Sequence, residues 1–225
     1  MDIIKRYGMK EKKSKKQDFV GQMMFATLAM CFNLKKTFNP SKLKEQIKEW
    51  TEKDPGIIRS NMGGWHSRPT HEGAIGELTS FIAEKYAPVY GRAMGWEMKG
   101  RKFFSEGGAW ANVNPPGGSN NTHVHGNSVL SAVYYVETHG KEQGPLVFCD
   151  PRSGAVQYHP LIGEPNYLNA QNIERIPTDH DLLLFPAWLP HRVALNKSKK
   201  NRISVAVNLN VGVLRHGSLD EKKLH

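Results

Sequence analysis

Asn121-Thr122-His123-Val124-His125-Gly126-Asn127 leads into Ser128-Val129-Leu130-Ser131-Ala132-Val133-Tyr134-Tyr135-Val136-Glu137, and the reading of this stretch decides the fold. Its second half is dominated by β-branched and aromatic residues, and the Gly126-Asn127 pair breaks the chain before it, which is the composition of a short strand. The same texture begins at Trp110 and continues to the C-terminal region, as short apolar runs separated by Gly, Pro and Asn. Strands are expected at Ala109–Val113, His123–His125, Val129–Glu137, Leu146–Cys149, Asp181–Phe185, Arg192–Asn196 and Arg202–Val211. So many short strands predict a jelly roll or sandwich.

Upstream, the pattern changes to helical spacing. Leu43, Ile47 and Trp50 mark a helix over Lys42 to Thr51, capped by Asn39 or Ser41. Leu78, Ile82 and Tyr86 mark a second over Ile75 to Tyr90. Between them, Ser60-Asn61-Met62-Gly63-Gly64-Trp65-His66-Ser67 reads as a Gly-rich turn, neither helix nor strand. Phe19 to Leu34 is too uniformly apolar for its period to separate helix from strand, with a strand favoured in its second half. The expected class is therefore mainly β with N-terminal helices. The expected organisation is a basic flexible arm at 1–18 and a single domain at 19–225. Within that domain, 19–108 would pack a strand and helices on a barrel core at 109–213, and 214–225 would form a tail.

A chain of 225 residues can bury a core of one domain. The longest apolar run, Met23 to Phe32, is half a bilayer span, and the mean hydropathy is −0.54, so no membrane segment is expected. The N-terminus shows no export signal, and a cytoplasmic location is expected. Cys31 and Cys149 fit no metal-ligand or redox spacing and are read as reduced, mostly buried thiols. The formal net charge is +10, and the first eighteen residues hold seven basic side chains against three acidic ones. Such an arm is a solvated tail or a contact for nucleic acid or another polyanion.

The chemistry sits in the strand region. In a strand, His123 and His125 would point to one face, supplying two metal ligands from one short segment. His191 follows the hydrophobic run Leu182 to Phe185 and a turn bounded by Pro186 and Pro190, which can carry it to the barrel mouth. Three facial ligands leave coordination positions open, as oxygen-activating iron requires. Eleven residues on, Arg202-Ile203-Ser204 puts a guanidinium and a hydroxyl on one strand face, a pair suited to grip a carboxylate. Tyr134, Asn112 and Asn114 are further candidates to reach a bound co-substrate. Trp65 and His66 are read as a lid, a substrate wall or a structural plug.

These residues resemble the Fe(II)/2-oxoglutarate oxygenases, and more closely a branch of small members found widely in bacteria and phages. The resemblance covers most of the chain after the basic arm. It rests on Ser60 to Trp65, Trp110-Ala111-Asn112-Val113, His123-Val124-His125 with Leu130 to Val136, Phe148-Cys149-Asp150-Pro151-Arg152, and Leu184 to His191 with Arg202-Ile203-Ser204. It implies a cupin-like double-stranded β-helix holding Fe(II), with 2-oxoglutarate bound by the metal and the Arg202 strand, and O2 taking the last position. It implies a dioxygenase that couples decarboxylation of 2-oxoglutarate to succinate and CO2 with hydroxylation of a substrate: a peptide, a small molecule or a nucleic acid. It also admits a homodimer paired through the helices.

The chain departs from the wider superfamily at His125, where an aspartate or glutamate is usual. A three-histidine site results, unless Asp150 supplies the carboxylate. Three neutral imidazoles suit Fe(II) but also Zn, Cu and Ni. Two other readings stay open on the residues alone: a three-histidine dioxygenase of cupin type that needs no 2-oxoglutarate, and a non-catalytic metal-binding jelly-roll module.

Overall fold

The computed structural model describes residues 24–152, 154 and 162–213; the basic arm and the C-terminal tail lie outside them. Two antiparallel sheets face one another. The larger runs in the order β1 (Met30–Asn33), β10 (Asp181–Pro186), β7 (Leu130–Glu137), β12 (Arg202–Val213), β5 (Ala109–Asn114) and β3 (Trp65–His66), with β4 (Arg101–Phe104) paired to the far end of β12. The smaller runs β2 (Asn61–Met62), β6 (Ser119–His123), β11 (His191–Val193), β8 (Leu146–Cys149) and β9 (Asn172–Arg175). This is the expected jelly roll, a double-stranded β-helix.

The central strands of the larger sheet bury both faces, which is why their sequences read as apolar runs. On the outer face, Leu130, Ala132, Tyr134 and Val136 of β7, Leu182 and Leu184 of β10, and Val205, Val207 and Leu209 of β12 join one apolar cluster with the helices. On the inner face, Tyr135 of β7 and Leu183 and Phe185 of β10 meet Leu146, Phe148 and Val193 of the smaller sheet. Strand alternation thus divides each strand between a structural core and a barrel interior.

Three helices cover the outer face. In α1 (Ser41–Lys53), Leu43 and Ile47 are buried, and Asn39 Oδ1 accepts both the Ser41 backbone N–H at 3.1 Å and its hydroxyl at 2.8 Å. Asn39 therefore secures the helix start. The expected helix from Ile75 to Tyr90 is two: α2 (Gly73–Lys85) and α3 (Ala87–Ala93). Pro88 has no N–H for the ladder, so the helix ends at Lys85 and restarts with the proline in the first turn of α3.

Other expectations are corrected. The Ser60–Ser67 turn contains β2 and β3, because Asn61 pairs with Asn120 in one sheet and Trp65 with Val113 in the other. Gly63, at φ +65°, makes the sharp crossing between the sheets. The strand expected over His123–His125 spans Ser119–His123, and that expected over Arg192–Asn196 spans His191–Val193. β4 and β9 were not anticipated, being four-residue strands of largely exposed side chains. Cys31 is exposed rather than buried, because it lies on an edge strand. Among the described residues, no helix is long and apolar enough to cross a membrane.

Leu78 on α2 has no exposed surface in the core between helices and sheet. Leu78→Ala is expected to lower unfolding free energy by about 2–5 kcal/mol, read from urea denaturation at unchanged slope.

Candidate metal centre

The smaller sheet places two of the three histidines. β6 and β11 are antiparallel neighbours in a register that sets His123 opposite His191, and their ring centroids lie 4.4 Å apart. His125 follows the end of β6. Its backbone N–H donates to the Ala187 carbonyl at 2.9 Å, which hooks the segment onto the turn between β10 and β11. Its ring then lies 5.0 Å from that of His123 and 5.1 Å from that of His191. One ligand nitrogen from each histidine falls within 4.8 Å of the others. The three rings converge, but a turn brings in the third, not strand alternation.

Hydrogen bonds orient two of the rings. Nδ1 of His123 lies 2.7 Å from the Asn121 carbonyl, and Nδ1 of His191 lies 2.9 Å from the Leu189 carbonyl. A carbonyl only accepts, so each Nδ1 carries the proton and each Nε2 keeps its lone pair for a metal. Burial, reinforced by His191 and His123, pushes the His125 pKa down to about 3. Burial also brings His191 down to about 4, against the opposing effect of its carbonyl partner. Both are therefore neutral at pH 7, the form that ligates a cation. Asp150 is outside this group, and its carboxylate accepts two bonds from the Arg152 guanidinium at 2.9 and 2.7 Å.

The histidines open into a cavity of about 380 Å3 between the two sheets, which Arg202 and Ser204 also line. Arg202 has 1% of its surface exposed. Its Nη1 donates to the Gly144 carbonyl at 3.1 Å and its Nη2 to Asn114 Oδ1 at 3.0 Å, while its buried Nε–H has no partner among the described residues. The Tyr135 ring lies 6.0 Å from its Cζ. No aspartate or glutamate lines the cavity, and no carboxylate pairs with Arg202 among the described residues. Gly144 has φ +87°, and a Cβ there would meet the Ala194 carbonyl oxygen at 2.1 Å, so the turn that receives Arg202 admits only glycine.

A chain of amides continues from Arg202 across the barrel. Asn114 Nδ2 donates to Asn120 Oδ1 at 3.1 Å, and Asn120 Nδ2 donates to Ser60 Oγ at 3.1 Å. The cation on the larger sheet is thus joined to the smaller sheet and to the segment at the cavity mouth.

The expected site residues separate along strand parity. Arg202, Ser204 and Asn112 line the cavity, and Asn114 stands behind it, holding Arg202. Tyr134 does not reach it. That ring lies on the outer face among the helices, edge-on to Phe38, with its hydroxyl hydrogen-bonded to His180 Nδ1 at 3.1 Å. Its neighbour Tyr135, opposite Ser204 on β12, faces inward instead. Trp65 and His66 divide in the same way. Trp65 packs on the outer core and donates Nε1–H to the Asp54 carbonyl at 2.8 Å, a plug. His66 lines the cavity and stacks on Trp110 at 5.6 Å with a 9° interplanar angle, a wall. Burial lowers the His66 pKa; the Ser67 carbonyl opposes this, and the charges of Arg59 and His123 add to it. Arg59, Trp110 and Tyr135 were not anticipated, although inward parity with Asn112 and Ser204 marks the two aromatic residues.

Residues 108–208, nearly the whole barrel core, match the model of the family described as "Putative 2OG-Fe(II) oxygenase". No curated protein matches the chain in sequence. Among solved structures, an oxidoreductase of the 2OG-Fe(II) oxygenase family from Burkholderia pseudomallei is similar at 12% identity and TM-score 0.52, over 80% of this chain and 83% of that one. A prolyl hydroxylase from Trichoplax adhaerens, in complex with a hypoxia inducible factor oxygen degradation domain peptide fragment, matches at 13% identity and TM-score 0.54, over 80% and 82%. HygX from Streptomyces hygroscopicus, with nickel and 2-oxoglutarate bound, matches at 12% identity and TM-score 0.54, over 81% and 82%. At such identities the likeness is one of fold.

Asn114→Ala would leave one buried Arg202 donor and the Asn120 carbonyl oxygen without their partner. It is expected to cost ~1–3 kcal/mol of folding stability, measured by denaturant unfolding.

Proposed function

We propose that this chain is an Fe(II)- and 2-oxoglutarate-dependent oxygenase in which His123, His125 and His191 hold the metal and Arg202 and Ser204 bind the far carboxylate of 2-oxoglutarate. One observation carries the reading: a buried guanidinium with an N–H unpartnered among the described residues shares a cavity with three converging imidazoles. Burying a charge costs several kcal/mol unless a counter-ion accompanies it, so the arrangement suits a cavity that receives a small dicarboxylate. HygX, which has the same fold, holds nickel and 2-oxoglutarate.

When bound, iron would supply the activation of dioxygen that couples decarboxylation of 2-oxoglutarate to succinate and CO2 with transfer of one oxygen atom to a substrate C–H bond. The protein's own groups bind, orient and shield. The planar fork of Arg202 meets a carboxylate through two donors, and the Ser204 hydroxyl, two residues along the same strand face, adds a third. Tyr135 covers the guanidinium. Burial pushes its phenol up to about 12, so at physiological pH it remains a neutral group and adds no negative charge beside the anion. Asn112, opposite Ser204 in the sheet, offers an amide to the co-substrate from the neighbouring strand. Asn114 positions Arg202 and touches no ligand.

The test is an anaerobic titration of Fe(II) and then 2-oxoglutarate into wild type and Arg202→Ala, following the visible metal-to-ligand charge-transfer absorption of an iron-bound keto acid. A band in wild type that requires at least about thirtyfold more 2-oxoglutarate in the variant is expected, since truncating one member of a buried charge pair costs ~2 kcal/mol or more. No band in folded, iron-loaded wild type rejects the reading and favours a direct three-histidine dioxygenase or a binding module.

A further inference from the structure

We infer that the mouth of this cavity holds a subsite for a carboxylate of the primary substrate, formed by Arg59 beside the flat wall of Trp110 and His66. The inference rests on the oxygenase reading for where the reacting carbon lies and for the charges of metal and co-substrate.

Two guanidinium groups line the cavity, and they differ in setting. Arg202 is buried at its floor, whereas Arg59 is exposed. Arg59 has no ion-pair partner among the described residues. Its position is nevertheless built. The Arg59 backbone N–H donates to Asn61 Oδ1 at 2.7 Å. The next residue, Ser60, is held on β6 through two bonds: its carbonyl accepts the Asn121 N–H at 2.8 Å and its hydroxyl accepts the Asn120 amide. The cation at the mouth therefore stands on the strand that carries His123, at the far end of the amide chain that begins at Arg202.

Charge then selects the class of ligand. No acidic side chain lines the cavity, and the three imidazoles add no negative charge to a divalent metal. A dianionic co-substrate, with one carboxylate on the metal and the other on Arg202, would leave the site with excess positive charge and Arg59 without an anion. A substrate with its own carboxylate would pair with Arg59 and reduce that excess, whereas a cationic one would add to it. Shape supplies the rest. The Trp110 ring stacks on His66, which feels the Arg59 charge, and lies 5.7 Å from the His125 ring. A flat apolar group against Trp110 would share the cavity with both the imidazoles and Arg59. The subsite thus fits a carboxylate carried on a short apolar or aromatic body, as a free acid or as an Asp or Glu side chain of a peptide.

The probes are 3-phenylpropanoate, its neutral isostere 3-phenylpropanamide, and the blocked peptide N-acetyl-Phe-Glu-amide. Each is added to anaerobic protein loaded with Fe(II) and saturated with 2-oxoglutarate, and binding is read by calorimetry. The acid is expected to bind at least about tenfold tighter than the amide, the scale of a charge-assisted contact. Arg59→Gln should abolish that preference and Arg59→Lys should restore part of it, with circular dichroism confirming that both variants fold. Tighter binding of the peptide than of the free acid assigns the carboxylate to a polypeptide; weaker binding assigns it to a small molecule. Equal affinity for acid and amide, a preference that survives in Arg59→Gln, or no binding of the acid at millimolar concentration overturns the subsite. The charge-transfer band keeps the two ideas apart: its absence rejects the oxygenase, while a normal band without acid preference rejects the subsite alone.

Discussion

A guanidinium buried without a carboxylate is the constraint on which this architecture turns. Arg202 lies inside the barrel on a central strand, and among the described residues its partners are neutral: the Gly144 carbonyl, the Asn114 amide oxygen and the Tyr135 ring. Such partners satisfy part of its hydrogen bonding but none of its charge, and burial pulls its pKa below the ordinary arginine value. A structural salt bridge would have been the cheaper way to bury the residue. Leaving the charge open has a cost in stability that an anionic ligand can recover.

The rest of the fold makes that cost tolerable. β12 lies between β5, paired over 202–207, and β7, paired over 203–209, so the strand bearing Arg202 is held by two neighbours before any ligand arrives. Its alternate residues, Val205, Val207 and Leu209, are buried against the helices. Helices and outer face supply the hydrophobic stability, and the inner face is released to carry polar groups. The smaller sheet, with its short strands and partly exposed edges, contributes less core and positions the histidines. Stability and chemistry are thus placed on different faces of the same strands.

Much of this was legible in the residues, and the failures have physical causes. His123, His191, Arg202 and Ser204 could be found because apolar strands and proline-bounded turns mark where they sit along the chain. The choice of Tyr134 over Tyr135 failed because a strand buried on both faces carries no polar and apolar alternation to show which side is the interior. Only the register against β12, where Tyr135 opposes Ser204, reveals it. His125 reaches the other rings through a backbone bond to Ala187, a long-range contact that local spacing cannot show. β2 and β3 escaped because two-residue strands have no period at all. Their place is set by pairing with β6 and β5, and that pairing brings Arg59 and His66 to the cavity.

In the proposed metal site, His125 in place of a carboxylate would bear on more than metal choice. A site with two histidines and one carboxylate offsets part of the metal's charge within its own ligand set. Three neutral imidazoles leave that charge to be offset by whatever enters the cavity. The cavity is then lined by a floor arginine and a mouth arginine and, among the described residues, by no acidic side chain. The dependence runs in one direction: a positive cavity raises affinity for anions whether or not they react, so charge alone sets which molecules enter and not which bond is oxidised. Selection of the bond falls to the geometry between the imidazoles and the Trp110 face, where a group held at Arg59 would present one of its carbons to the metal position and keep the others away.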